Sequence, residues 1–248
     1  MPSRSSPHST PPSPRDSQRS RVYRAESSVS DTKLGSLDEC FEEMRSAVST
    51  EWWRRRFGWL TAERIPPLRP GNGARRAFFR PEPALSITLP RRYRTRGVVL
   101  HELVHWGLDD SDGIADHGPT FTRVLLDATS ALIGKPRANA LVRAYHEHGV
   151  KIGAPPLVDE RGWVRYGWDE RLERRRRQPV MIVTPGLVHT TAVFLGWGRG
   201  HLTIRIELER GVRTSVPISG LLDVLVPEPD GDSINDELVA SDEFDDEW

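Results

Sequence analysis

Two histidines four residues apart, with a glutamate directly after the first, constrain this chain more than any other feature: His101-Glu102-Leu103-Val104-His105. On a helix, residues four apart share a face, so His101 and His105 project side by side and their imidazoles can share one metal ion. Glu102, one position on, can reach a water beside that ion. The segment must be helical for its chemistry. Its neighbours Val98, Val99, Leu100, Leu103 and Val104 require that helix to be buried. A dry wall also strengthens the electrostatics of a metal site. The pattern reads as a zinc hydrolase site, two ligands and a general base within one helical turn.

A third ligand is available in His117-Gly118-Pro119-Thr120-Phe121, across the polar turn Asp109-Asp110-Ser111-Asp112-Gly113. That loop is long enough to swing His117 back over the first helix. Pro119 suits the first turn of a helix, where its missing N–H costs nothing. Phe121, Val124, Leu125, Ala128 and Leu132 follow at helical spacing. Asp112 and Asp116 are rival third ligands from the same loop. The plainer reading makes His101 and His105 surface histidines of an amphipathic helix and His117 a helix cap. Leu85, Ile87 and Leu89 alternate with Ser86 and Thr88 before Pro90, which predicts a strand ahead of the helix.

These residues resemble a known family. Ile87 through Leu89-Pro90, Val99-Leu100-His101-Glu102, His105 and His117-Gly118-Pro119-Thr120-Phe121 are similar to the SprT-like zinc metallopeptidases. They are closer still to a group of actinobacterial metallohydrolases with the same HExxH and HGPxF elements. Leu141-Val142-Arg143-Ala144-Tyr145 and Gly149-Val150 resemble the end of that domain, so the likeness spans residues 37–153. It implies Zn²⁺ held by His101, His105 and His117, Glu102 as general base, and a peptide or protein substrate. It also implies that the strand Leu85–Leu89 holds extended substrate by main-chain pairing. The chain departs from the family in having one cysteine, Cys40, so it lacks a four-cysteine zinc ribbon. No motif matches the DNA-binding parts of members that cleave DNA-crosslinked proteins.

The expected fold class is α+β. A zincin-like helical domain with a small sheet covers residues 34–153, a basic linker 154–178, and a small SH3-like β-barrel 179–227. Disordered tails are expected at 1–33, rich in Ser, Pro and Arg, and at 228–248, rich in acids. The 248 residues suit one ordinary domain plus a small one, and a net charge of zero gives no global pull toward nucleic acid or membrane. No apolar run is long enough to span a bilayer, and the N-terminus lacks the apolar segment of a signal peptide. With a single cysteine, a reducing cytoplasm is the expected compartment.

Along the chain, Ser36 and Glu39 form a capping box. The following helix should carry Leu37, Cys40, Phe41, Met44, Val48 and Trp52 on one face, with Cys40 a small buried hydrophobe. Trp52-Trp53-Arg54-Arg55-Arg56 reads as a helix end, or else as a nucleic-acid contact. Ala77–Phe79 predicts a short strand. The active-site helix is expected over Thr95–Trp106, ended by a left-handed Gly107. Helices at Gly118–Ile133 and Ala138–His148 should follow. Tyr145, His146 and His148 are the available donors for an oxyanion, with core and solvent roles as the simpler readings. Arg171 and Arg174–Arg177 form a solvated run or a phosphate-facing patch. From residue 180 the period changes to two, which gives four or five antiparallel strands as a barrel or a curled sheet. Two other functions fit these features. One is a non-catalytic zinc-stabilised binding module. The other is a nucleic-acid-associated protease or adaptor acting through the arginine runs and the barrel.

Overall fold

The computed structural model describes residues 16, 18–72, 76–81, 84–109, 116–159, 161–198 and 202–225. The acidic stretch 228–248, Asp112 and residues 1–15 of the N-terminal tail lie outside these. The fold is α+β, with helices and, among the described residues, three small sheets. No helix among the described residues is long and apolar enough to cross a membrane.

The first departure from expectation is at the N-terminus. Residues 18–33 carry a helix, α1 (Arg19–Ser28), where a disordered tail was expected. Its apolar content is small but correctly spaced: Val22 and Ala25 are fully buried and Val29 packs against the same core. Polar bonds complete the docking. The Gln18 side chain donates to the Lys151 carbonyl at 3.0 Å and accepts the Lys151 N–H at 2.8 Å, while Arg21 donates to the Gly149 carbonyl at 2.9 Å. α1 thereby lies against α6 (Lys135–Glu147).

Ser36 caps α2 (Leu37–Val48) through a 3.0 Å bond from the Glu39 N–H, as the capping box predicts, while the Glu39 carboxylate reaches one residue further back than the box requires, to the Gly35 N–H at 2.6 Å. The helix does not continue to Trp52. Thr50 caps a new helix, α3 (Glu51–Phe57), and the break turns Trp53 into the core. The Trp53 indole N–H donates to the Leu60 carbonyl at 3.0 Å. Cys40 is fully buried, as expected.

Strands β1 (Leu68–Pro70), β2 (Phe78–Arg80) and β3 (Ser86–Leu89) form a sheet in the order β1-β3-β2. β1 runs parallel to β3 and β2 antiparallel to it. The Leu85–Leu89 strand, expected to offer an edge to substrate, is therefore the central strand, paired on both sides. The edges belong to β1 and β2, and β2 packs on α4 (Arg96–Leu108).

Thr95 caps α4, accepting the Val98 N–H at 3.3 Å, and Asp31 accepts the Gly97 N–H at 3.1 Å. A carboxylate suits this positive helix end. Gly107 does not end the helix, which runs through it to Leu108. Its role is close approach: a Cβ there would meet the Phe57 ring at 3.1 Å. α5 (Pro119–Ala128) starts at Pro119 as predicted and passes into a π-helical turn over Thr129–Ile133. Gly149, at φ +63°, closes the end of α6.

The expected linker 154–178 is structured. It contains a small hairpin, β4 (Leu157–Val158) with β5 (Val164–Arg165), and a helix, α7 (Trp168–Arg174). Trp168 and Leu172, one turn apart, anchor α7 in a second core with Val180, Ile182, Phe194 and Ile206. The arginines of this stretch masked that anchor. Glu170 of α7 accepts the Thr120 N–H at 2.8 Å at the start of α5, and Tyr166 donates to Asp127 at 2.8 Å.

The second core lies on a five-stranded antiparallel sheet of β6 (Pro179–Thr184), β7 (Leu187–Trp197), β8 (Thr203–Glu207), β9 (Arg213–Pro217) and β10 (Asp223–Leu225). Its order is β10-β6-β7-β8-β9. The expected barrel does not close among the described residues. β10 returns to pair with β6, so β9 and β10 end on opposite edges. The pairing shifts register at Ile182–Thr184 and at Phe194–Gly196, the kind of irregularity that bends a strand.

Candidate metal centre

α4 places His101 and His105 one turn apart, and the chain entering α5 brings His117 against them. The three Nε2 atoms face one another at 3.1 Å for His101 and His105, 3.3 Å for His105 and His117, and 3.3 Å for His101 and His117. Tetrahedral Zn–N bonds of about 2.0–2.1 Å would put nitrogen ligands about 3.3–3.4 Å apart. The observed spacing fits one ion. His101 and His117 are buried, with 2 % and 3 % of their surface exposed, so the cluster is not an exposed histidine pair on a helix face.

Two carboxylates settle which nitrogen carries the hydrogen. His101 Nδ1 lies 2.9 Å from a Glu26 carboxylate oxygen, and His117 Nδ1 lies 2.8 Å from Asp16 Oδ2. A carboxylate accepts, so each Nδ1 donates, and in the neutral ring each Nε2 then presents its lone pair. Lone pairs facing one another inside a protein repel, and a cation between them removes the conflict. Such carboxylate–imidazole pairs also fix ring orientation and raise ligand basicity. Tyr145, fully buried, donates to Glu26 Oε1 at 3.3 Å and so holds the carboxylate that holds His101.

Electrostatics favour neutral rings at two of the three positions. Burial, then the charge of His101, pushes His117 below the usual imidazole range, against the pull of Asp16. Burial and the two neighbouring histidines push His105 well down. Burial also works against charge on His101, but Glu26 outweighs it and the net shift is upward. Phe121 packs against all three rings, with centroids 4.8, 4.4 and 5.1 Å from His101, His105 and His117.

Glu102 is 2 % exposed. Burial pushes its carboxyl up to about 7, opposed by His101 and by a hydrogen bond from the Phe79 N–H of β2. Its Oε2 is buried and has no hydrogen-bond partner among the described residues. It borders a cleft of about 270 Å³ that is also lined by Arg19, Tyr23, Phe79, His105 and His117. A second cavity of about 220 Å³, lined by Tyr23, Val98 and Leu125, also reaches His101 and Glu102.

No family model, curated protein or solved structure matches this chain.

The remaining sequence candidates are distributed as follows. Asp116 is exposed at the cleft and stands outside the ligand cluster, which among the described residues comprises His101, His105 and His117. Tyr145 is a core residue committed to Glu26. His146 is exposed, and neither it nor His148 lines either cavity at the cluster. The arginine runs are largely engaged within the chain. Arg55 pairs with Glu51, Arg56 donates to Tyr166, Arg171 to the Tyr166 carbonyl, and Arg176 pairs with Glu173. The residues that sequence reasoning missed are Asp16, Arg19, Tyr23 and Glu26. Their one signal is helical spacing: Val22, Ala25 and Val29 on one face, Arg19, Tyr23 and Glu26 on another.

Proposed function

We propose that the protein is a zinc-dependent metallohydrolase that acts as a peptidase, with His101, His105 and His117 as ligands and Glu102 as general base. The observation that carries this reading is the convergence of three imidazole Nε2 atoms, two of them held in the ligating tautomer by Glu26 and Asp16. Three nitrogen donors at tetrahedral spacing favour zinc among common cations. The ligand cluster has no fourth side chain among the described residues, which suits a catalytic site better than a structural one. Zinc, when bound, supplies Lewis acidity that polarises a carbonyl and acidifies a water.

The chain's own residues supply the rest. Glu102 accepts the proton of the attacking water and delivers it to the departing amine. The Phe79 N–H steadies the carboxylate, and Oε2 is left to act as acceptor. β2 is the edge strand beside α4 and its Phe78 and Phe79 line the cleft, an arrangement that would bind an extended peptide by strand addition. A small mixed sheet beside the metal helix is compatible with a zincin-like domain of the SprT-like kind. The C-terminal sheet, SH3-like in size, is the natural seat of a separate binding role.

The test is elemental analysis of the purified full chain alongside hydrolysis of fluorescein-labelled casein. Wild type should hold one zinc per chain and cleave casein, and a chelator should abolish cleavage. Glu102→Gln should keep the zinc and lose the cleavage. Full turnover in that variant would remove Glu102 as the base, and a zinc-free wild type would remove the reading altogether.

A further inference from the structure

We propose that Tyr23, backed by Arg19, is a catalytic residue that donates the hydrogen bond stabilising the oxyanion formed on the substrate carbonyl. The proposal rests on the metallopeptidase reading above. Tyr23 comes from α1, far from the metal motif in sequence, yet its ring stacks on His101 at 5.5 Å between centroids and meets His117 edge-on at 5.0 Å. It is one of the walls of the cleft that holds Glu102, His105 and His117. Arg76 lies over the ring at 4.5 Å and Arg19 at 5.6 Å, so the ring is clamped between cations and imidazoles.

The hydroxyl has the polarity the role needs. Arg19, one helical turn before it on α1, lines the same cleft, and a guanidinium can only donate, so it offers the phenol hydrogen no acceptor. The phenol hydrogen is left to donate, and it has no acceptor among the described residues. Glu102 lines the same cleft, which places general base and donor around one space. The other candidate donors are spent or remote: Tyr145 is bonded to Glu26, and His146 and His148 lie outside the cleft.

In the step, the water oxygen bonds to the carbonyl carbon and the π pair moves onto the carbonyl oxygen. The Tyr23 O–H donates to that oxygen and keeps its own proton. Glu102 takes one water proton and passes it to the amine nitrogen as the C–N bond breaks. The second water hydrogen leaves on the new carboxylic acid, which ionises. The Arg19 guanidinium, which favours the ionised phenol against burial, makes the phenol a stronger donor.

Tyr23→Phe tests the assignment cleanly, because it removes one oxygen and keeps the ring contacts with His101, His117 and Arg76. The zinc-loaded full chain should retain its zinc and its thermal midpoint. On fluorescein-casein, kcat should fall about 100-fold, the typical loss on removing an oxyanion donor, while KM stays within about twofold. Affinity for a phosphonamidate dipeptide, whose tetrahedral oxygens mimic the oxyanion, should fall about tenfold or more by calorimetry. Full kcat and full phosphonamidate affinity in Tyr23→Phe, with Glu102→Gln inactive, would overturn the Tyr23 assignment and leave the metallopeptidase reading standing. A wild type that cleaves no better than Glu102→Gln would overturn both.

Discussion

The buried position of Glu102 has a measurable cost in the metal-free protein. Its carboxyl is moved from an ordinary 4.5 to about 7, chiefly by burial. The native state therefore binds that proton more tightly than the unfolded chain does. The contribution to stability is fully present below about pH 4.5 and is lost as pH rises through about 7. At about 1.4 kcal/mol per pKa unit, the native state is penalised by about 1 kcal/mol at pH 5 and about 3 kcal/mol at pH 8. Glutamine has nearly the shape of the protonated acid and titrates nowhere, so Glu102→Gln removes the penalty. The assay is urea denaturation of chelator-treated wild type and variant across pH 5–8, with the difference taken at each pH so that other titrations cancel. The variant should gain about 2–3 kcal/mol on wild type between the two ends. Adding zinc should shrink that gain, because a nearby cation favours the ionised carboxylate. A difference that stays flat with pH would refute the claim that burial outweighs His101 and the Phe79 N–H at Glu102 in the chelator-treated protein.

Two further outcomes follow from particular contacts. Glu26→Gln can turn its amide N–H toward His101 Nδ1 and so favour the wrong tautomer. Zinc affinity, measured by competition with a chromophoric chelator, should weaken about 10- to 100-fold, and unchanged affinity would dismiss the carboxylate's role. Leu172→Ala should cost about 2–5 kcal/mol in urea denaturation, because Leu172 is fully buried in the second core. A loss near zero would mean that residues 154–178 are a solvated linker after all.

The metal motif was legible because its spacing is itself geometry: His101 and His105 could meet only on a helix, and His117-Gly118-Pro119 marked both a third ligand and a helix start. Ser36 and Glu39, Pro119, and the alternation through β8 announced their elements in the same way. The misreadings share a cause. Trp52 and Trp53 are adjacent, and which one enters the core depends on a helix break at Thr50 that periodicity alone did not reveal. Gly107 looked like a helix stop, but the absent Cβ serves the approach of Phe57, a contact distant in sequence. The alternation through Leu85–Leu89 specifies a strand, while its place at the centre of the sheet depends on partners that sequence does not specify. In α1 and α7, few apolar residues among many charges hid helices held by a handful of buried groups.

The dependence of α1 on those few groups bears on how the site is assembled. Val22 and Ala25 give little apolar surface, so docking of the helix leans on Gln18 and Arg21 at its start and on carboxylate–imidazole bonds at Asp16 and Glu26. Those same carboxylates make His101 and His117 better ligands. An ion on the three imidazoles strengthens the Nδ1–H donors that hold α1, and a docked α1 strengthens the hold on the ion. The two effects must be equal in free energy, because each is the other's coupling read from the opposite end. Tyr23 and Arg19 ride on the same helix. The segment that completes the metal ligands is thus also the one that brings the proposed oxyanion donor into the cleft, and a chain with α1 undocked would lose ligand strength and the Tyr23 hydroxyl together.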